Sequence, residues 1–206
     1  MDALTPGASE IRSSALLRGE SVKRANALTA VLSGALPGAL LIFYVQPKLN
    51  RLLLGLAIGL LWANGFEYVY HRYLLHWPAS TLGKGHLLHH ATVGRPEEPE
   101  HVTFGSSPLW VSFLFLADGF PVVLIGVIWR IGITPGVLVA FSVYFISVEE
   151  IHWRIHLGEW LPPGLRRGRE YHLAHHDTPD ARFNVFLPIF DLLFSNLGRR
   201  ETRSSV

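Results

Sequence analysis

"LLLGLAIGLLWANGFEYVYHRYLLH", residues 52–76, carries two messages in one stretch. From Leu52 to Tyr70 it is almost wholly apolar, and a bilayer core of about 30 Å takes roughly 20 helical residues to cross. It then runs directly into His71 and His76, residues that do not serve as filler in apolar helices. Three further stretches approach the same length: Ala27–Val45, where Pro37 predicts a kink rather than a stop, Pro108–Trp129, and Ile133–Ile151. The third of the four spans is interrupted around Asp118 and Pro121 and reads as two half-helices or a broken span, with Asp118 in a structural role at the break. Only 17% of the residues are charged, against about 25% in an ordinary soluble domain. The predicted fold is therefore an all-α integral membrane protein, a four-span helical bundle with a histidine-rich helical cap. Residues 1–26 read as a mobile or surface-lying arm, 27–198 as the membrane domain and 199–206 as a tail.

Four crossings put the arm, the 71–107 loop and everything after residue 152 on one side. That side holds 15 of the 18 Lys and Arg, leaving Lys48, Arg51 and Arg130 opposite. The positive-inside rule then predicts that both termini and the cap are cytoplasmic. All 11 histidines fall on the same side, although hydropathy made no use of them. A net charge of +2 is too small to suggest nucleic acid, and the absence of cysteine excludes disulfides, thiolate metal ligands and cysteine-held iron–sulfur clusters.

Ten of the histidines form four clusters: "HRYLLH" (His71, His76), "HLLHH" (His86, His89, His90), "HWRIH" (His152, His156) and "HLAHH" (His172, His175, His176). Residues at i, i+3 and i+4 share a helix face, so three clusters would each aim their rings one way. His71 and His76 are five apart and lie about 140° from one another on an α-helix, which fits ligands flanking a site. Neutral imidazole binds Fe, Zn, Cu and Ni, and ten converging rings suffice for two sites. Unmetallated, such a cluster is a candidate pH-sensing patch. His101 belongs to no cluster. Glu67 and one of Glu149 or Glu150, together with Asp177, are candidates to accept the rings' second N–H and fix their tautomer.

These boxes resemble those of the fatty acid hydroxylase and sterol desaturase superfamily, membrane-bound non-haem di-metal oxygenases, from about Glu67 to Gly198. The closing segment "DARFNVFLPIFDLLFSNLG" is also similar, with Val185 where many relatives have glycine. The resemblance implies that His71, His76, His86, His89, His90, His152, His156, His172, His175 and His176 hold two iron ions (zinc can replace them on isolation), with no other catalytic residue. It implies O₂ as co-substrate and a fatty acyl or sterol-like lipid to be hydroxylated or desaturated. No nicotinamide or flavin fingerprint is present, so an external electron donor is expected, a ferredoxin or a b-type cytochrome with its reductase. A carotenoid ring hydroxylase is the nearest alternative, although "HWRIH" is one residue shorter than that group's usual third box. A membrane metal transporter or sensor is the alternative from another class. Transport sites lie near the bilayer midplane, whereas these clusters fall at or beyond the span ends.

Overall fold

The computed structural model describes residues 6–197, and every regular element among them is helical. Four helices are long and apolar enough to cross a membrane: Gly7–Val45, Leu49–Leu75, Pro108–Trp129 and Thr134–His156. The protein is a multi-pass integral membrane protein. The first span comprises α1 (Pro6–Ala30), a π-helical turn (Val31–Ala35) and α2 (Leu36–Val45). The helix passes Pro37 without stopping, because proline near the start of α2 removes an N–H that the widened π turn has already displaced. α3 (Leu49–Val69) continues into a second π turn, Tyr70–Leu75. The cap follows as α4 (Thr81–Thr92) and α5 (Glu98–His101), then the spans α6 (Pro108–Trp129) and α7 (Thr134–His156). The cap closes with α8 (Arg166–Asp177) and α9 (Ile189–Leu193).

Two expectations are corrected. The stretch read as a mobile or surface-lying arm is, over its described part, helical and continuous with the first span in one 39-residue helix, about 58 Å long at 1.5 Å per residue. No break falls at residue 26. Ala15 and Asn26 are fully buried, and Arg18 and Lys23 reach across to Glu100 and Glu150. α6 is unbroken, with Pro121 inside it; a membrane helix tolerates proline because neighbouring groups satisfy the freed carbonyl. Asp118 caps nothing there and instead accepts a hydrogen bond from the Trp62 indole at 3.0 Å.

α7 is the central helix. It packs along α3, and their side chains form the core with Phe115 and Phe104. The crossing is close because both helices present glycine: a Cβ on Gly55 would lie 2.1 Å from the Ile133 carbonyl oxygen, and one on Gly136 would lie 2.5 Å from that of Leu52. Gly55→Leu should push α3 off α7 and lower the melting temperature in detergent by several degrees, whereas Gly85→Leu, which meets nothing, should not.

Candidate metal centre

Each histidine cluster sits at the cap end of a helix, and the local winding decides where its rings point. In the π turn the His76 N–H donates to the His71 carbonyl five residues back. The wider turn cancels the divergence expected on an α-helix, and the two rings lie with centres 5.1 Å apart. Ser80 caps α4 by accepting from the Gly83 N–H at 2.8 Å. On α4 and α8 the last two histidines of each motif diverge. Position i+4 stands about 40° to one side of i, and i+3 about 60° to the other.

The result is two groups of five. His71, His76, His86, His90 and His175 form one; His89, His152, His156, His172 and His176 form the other. In each group one nitrogen per ring lies within 4.8 Å of the rest. Thus "HLLHH" gives its outer pair, His86 and His90, to the first group and His89 to the second, while "HLAHH" gives His172 and His176 to the second and His175 to the first. The single-direction reading of these motifs is corrected by this exchange. The groups abut where His90 and His176 lie with ring centres 4.2 Å apart. His101 belongs to neither.

The far side of several rings is anchored. His152 and His175 donate from Nδ1 to the carbonyls of Val102 and Ala181, both at 2.6 Å, and His71 donates to that of Phe183. His156 Nδ1 lies 3.0 Å from Glu98 Oε1. A proton fixed on Nδ1 leaves the Nε2 lone pair facing inward. Inside the groups, Nε2 atoms approach at 3.0 Å (His71 and His86), 3.1 Å (His156 and His172) and 3.2 Å (His76 and His175). Two nitrogens about 2.1 Å from a shared ion and at right angles to one another would be about 3 Å apart. Among the described residues His89, 2% exposed, has no hydrogen-bond partner for either nitrogen, and the buried His152 Nε2 has none. Unpaired buried polar atoms are costly, and a cation among the rings would pair one nitrogen of His89 and the His152 Nε2. The donor set fits a metal.

Burial, reinforced by the neighbouring rings, holds His86, His89 and His172 well below the ordinary imidazole range. Burial likewise drives His175 down to about 4 and His90 to about 3. These five rings are thus neutral and competent as ligands near pH 7. Such groups protonate in the unfolded chain, near pH 6.5, before they do so in the fold. Between those values the unfolded state binds more protons, so stability rises with pH. The metal-free protein should therefore melt several degrees lower at pH 5 than at pH 7.5, a shift that scanning calorimetry in detergent would read.

The carboxylates lie one step behind the rings. Among the described residues Glu67, Glu149, Glu150 and Asp177 make no hydrogen bond to an imidazole. Glu149 accepts from the N–H groups of Phe104 and Gly105 at 3.0 and 2.8 Å and from Asn26 at 2.9 Å, and so holds the loop whose Val102 carbonyl anchors His152. Glu67 accepts from Val185 N–H, Asn184 and Tyr144 at 2.7, 2.8 and 2.6 Å, pinning the loop whose Phe183 carbonyl anchors His71. Asp191 holds the same loop from its other side, through the Phe183 and Asn184 N–H groups. Glu150 is engaged by Lys23 and Arg154, and Asp177 is exposed. Sequence reading missed Glu98, whose partner is 58 residues away, and Asp191, flagged only by its place in the closing segment.

A family model described as fatty acid hydroxylase matches residues 56–196. The chain belongs to the fatty acid hydroxylase family. The matched region includes all ten clustered histidines, and members of this family are membrane enzymes that hydroxylate or desaturate lipids. Neither a curated protein nor a solved structure gives a significant match. In this fatty acid hydroxylase family member two openings flank the rings. An apolar cavity lies among the spans, lined by Phe66, Tyr70 and Phe141, and a polar cleft of about 110 Å³ is lined by His86, His89 and His101. Phe104 lines both.

Proposed function

We propose that the chain is an O₂-dependent oxidoreductase that hydroxylates or desaturates a lipid, with two iron ions held one by each group of five imidazoles. The partition of ten rings into two inward-facing sets carries this reading. Bound iron would relay two electrons from an external donor to O₂, the substrate's C–H bonds supplying the other two that its reduction takes; zinc, being redox-inert, would occupy the same rings without turnover.

The chain's own residues set the conditions. The carbonyls of Val102, Ala181 and Phe183 and the Glu98 carboxylate keep Nδ1 protonated and Nε2 free. Phe104 separates an apolar approach from the spans and a polar approach beside His101. A lipid chain comes from the first without leaving apolar surroundings, while small polar reactants use the second. The excess of Lys and Arg on the histidine side supports a cytoplasmic position for the metals and both termini, which an external donor, a ferredoxin or a b-type cytochrome with its reductase, could then reach.

The test is direct. The protein is loaded with iron under nitrogen, given a reductant and O₂ in the presence of membrane lipids, and the lipids are analysed by mass spectrometry. Oxygenated or newly unsaturated lipids are expected. Metal flux in vesicles with no lipid product would mean that the ten rings serve transport instead.

A further inference from the structure

One buried hydroxyl has no place in the networks above. Tyr70, the residue before His71, is 2% exposed, and its Oη has no hydrogen-bond partner among the described residues. It lines the apolar cavity among the spans, beside Phe66, Phe104, Leu114, Phe141 and Phe145. The other polar groups of that wall, Glu67 and Tyr144, are bonded to each other at 2.6 Å. Buried hydroxyls are rarely left unpaired. A trapped water is a poor partner, because buried waters make about three hydrogen bonds and this wall offers one free group.

The cavity stands against both histidine groups. The Tyr70 ring lies 5.7 Å from that of Phe104, which packs edge-on against His71 of the first group and His152 of the second at 5.5 and 5.9 Å. On the other side Phe66 lines both the cavity and a lipid-facing groove of about 510 Å³ formed with Trp62, Val69 and Phe190. The cavity itself has a volume of about 20 Å³, so a chain enters only when the Phe66 ring, half-buried against Tyr70 and Phe141, turns aside.

We propose that the reacting segment of the lipid enters this cavity from the bilayer past Phe66, and that Tyr70 Oη donates a hydrogen bond to a neutral oxygen carried by the lipid close to the carbon that is oxidised. This rests on the lipid-oxidising reading above and narrows it. A plain hydrocarbon would leave Oη unpaired. A carboxylate would have to shed its water among phenyl rings with no cation beside it. An ester, amide, ketone or hydroxyl oxygen meets both conditions.

Two photoreactive probes test the proposal, hexadecane and methyl hexadecanoate, each with a diazirine at the third carbon (counted from the carbonyl carbon in the ester), applied to the full iron-loaded chain in lipid nanodiscs under nitrogen so that no turnover occurs. The ester should label the 141–148 segment about five-fold more than the hydrocarbon, the worth of one net hydrogen bond. Tyr70→Phe should bring the two to parity at unchanged metal content, and Phe66→Trp should reduce labelling by both. Equal labelling in the wild type, no labelling of that segment, or a preference that survives Tyr70→Phe would overturn the proposal, and the wild-type ratio is read without any variant. The same samples exposed to O₂ and reductant separate the two ideas. Lipid oxidation without the ester preference sinks only the Tyr70 assignment, and the preference without oxidation sinks only the oxidoreductase reading.

Discussion

Replacing His89 by alanine should strip the metal from the second group while leaving its helix neighbours His86 and His90 loaded. The expectation comes from the exchange between the two HxxHH motifs: α4 delivers His89 to the group otherwise built by α7 and α8. His89 is buried with neither nitrogen paired among the described residues, so its one lone pair has no role outside the centre. Metal content should fall from about two ions per chain to about one, and lipid oxidation by more than about 100-fold, beyond the loss usual for a residue that only supports a ligand. Double variants sharpen the test, because residues acting on one site are non-additive and residues on separate sites add. His89→Ala with His152→Ala should remove no more metal than either alone, whereas His89→Ala with His71→Ala should remove both ions. If His89→Ala with His86→Ala or His90→Ala instead removed only one ion, the two-group partition would be wrong.

Much of this arrangement is legible in the chain because its signals are long or repeated. Four apolar runs of membrane length leave few alternatives, and two of the four histidine clusters, His71/His76 and His152/His156, fall where those runs end. What escapes reading depends on contacts or on local winding. The spacing of His71 and His76 looks divergent on an α-helix and becomes convergent only in a π turn, so the five-residue interval is itself the sign of that turn. The break expected at Pro121 does not form, since one lost backbone bond does not end a helix supported by its neighbours. The polar first segment reads as an arm because it has no apolar core of its own; Arg18 and Lys23 find their partners 82 and 127 residues away. Trp153, near the end of the last apolar run, is buried beneath Lys23 and donates to Glu159. Glu67 and Glu149 stand out in the sequence as carboxylates beside histidine clusters, yet each sits one contact further from the rings than expected. No sequence pattern shows which backbone N–H a side chain will meet.

Glu149 is where that displacement has the largest consequence for stability. Glu149→Ala leaves the Phe104 and Gly105 N–H groups and the Asn26 amide unpaired in a fully buried position. With each orphaned donor costing about 1–3 kcal/mol and some regained by a penetrating water, the expected loss is about 3–5 kcal/mol. Glu149→Gln should lose less, since it keeps one acceptor oxygen and turns an NH₂ toward a donor. Glu150→Gln, one residue on, should cost only about 0.5 kcal/mol, because its partners Lys23 and Arg154 are part of a half-exposed ion-pair set. The effect should not stop at stability. Without Glu149 the 102–105 loop loses its anchor, the Val102 carbonyl no longer holds His152 Nδ1, and metal affinity of the second group should fall about 10–100-fold. Thermal melts with and without metal, alongside a competitive chelator titration, read the two effects separately. A protein that melts early yet binds both metals with wild-type affinity would break the chain of contacts from Glu149 through the loop to the ring, and leave the carboxylate a purely structural part of the bundle.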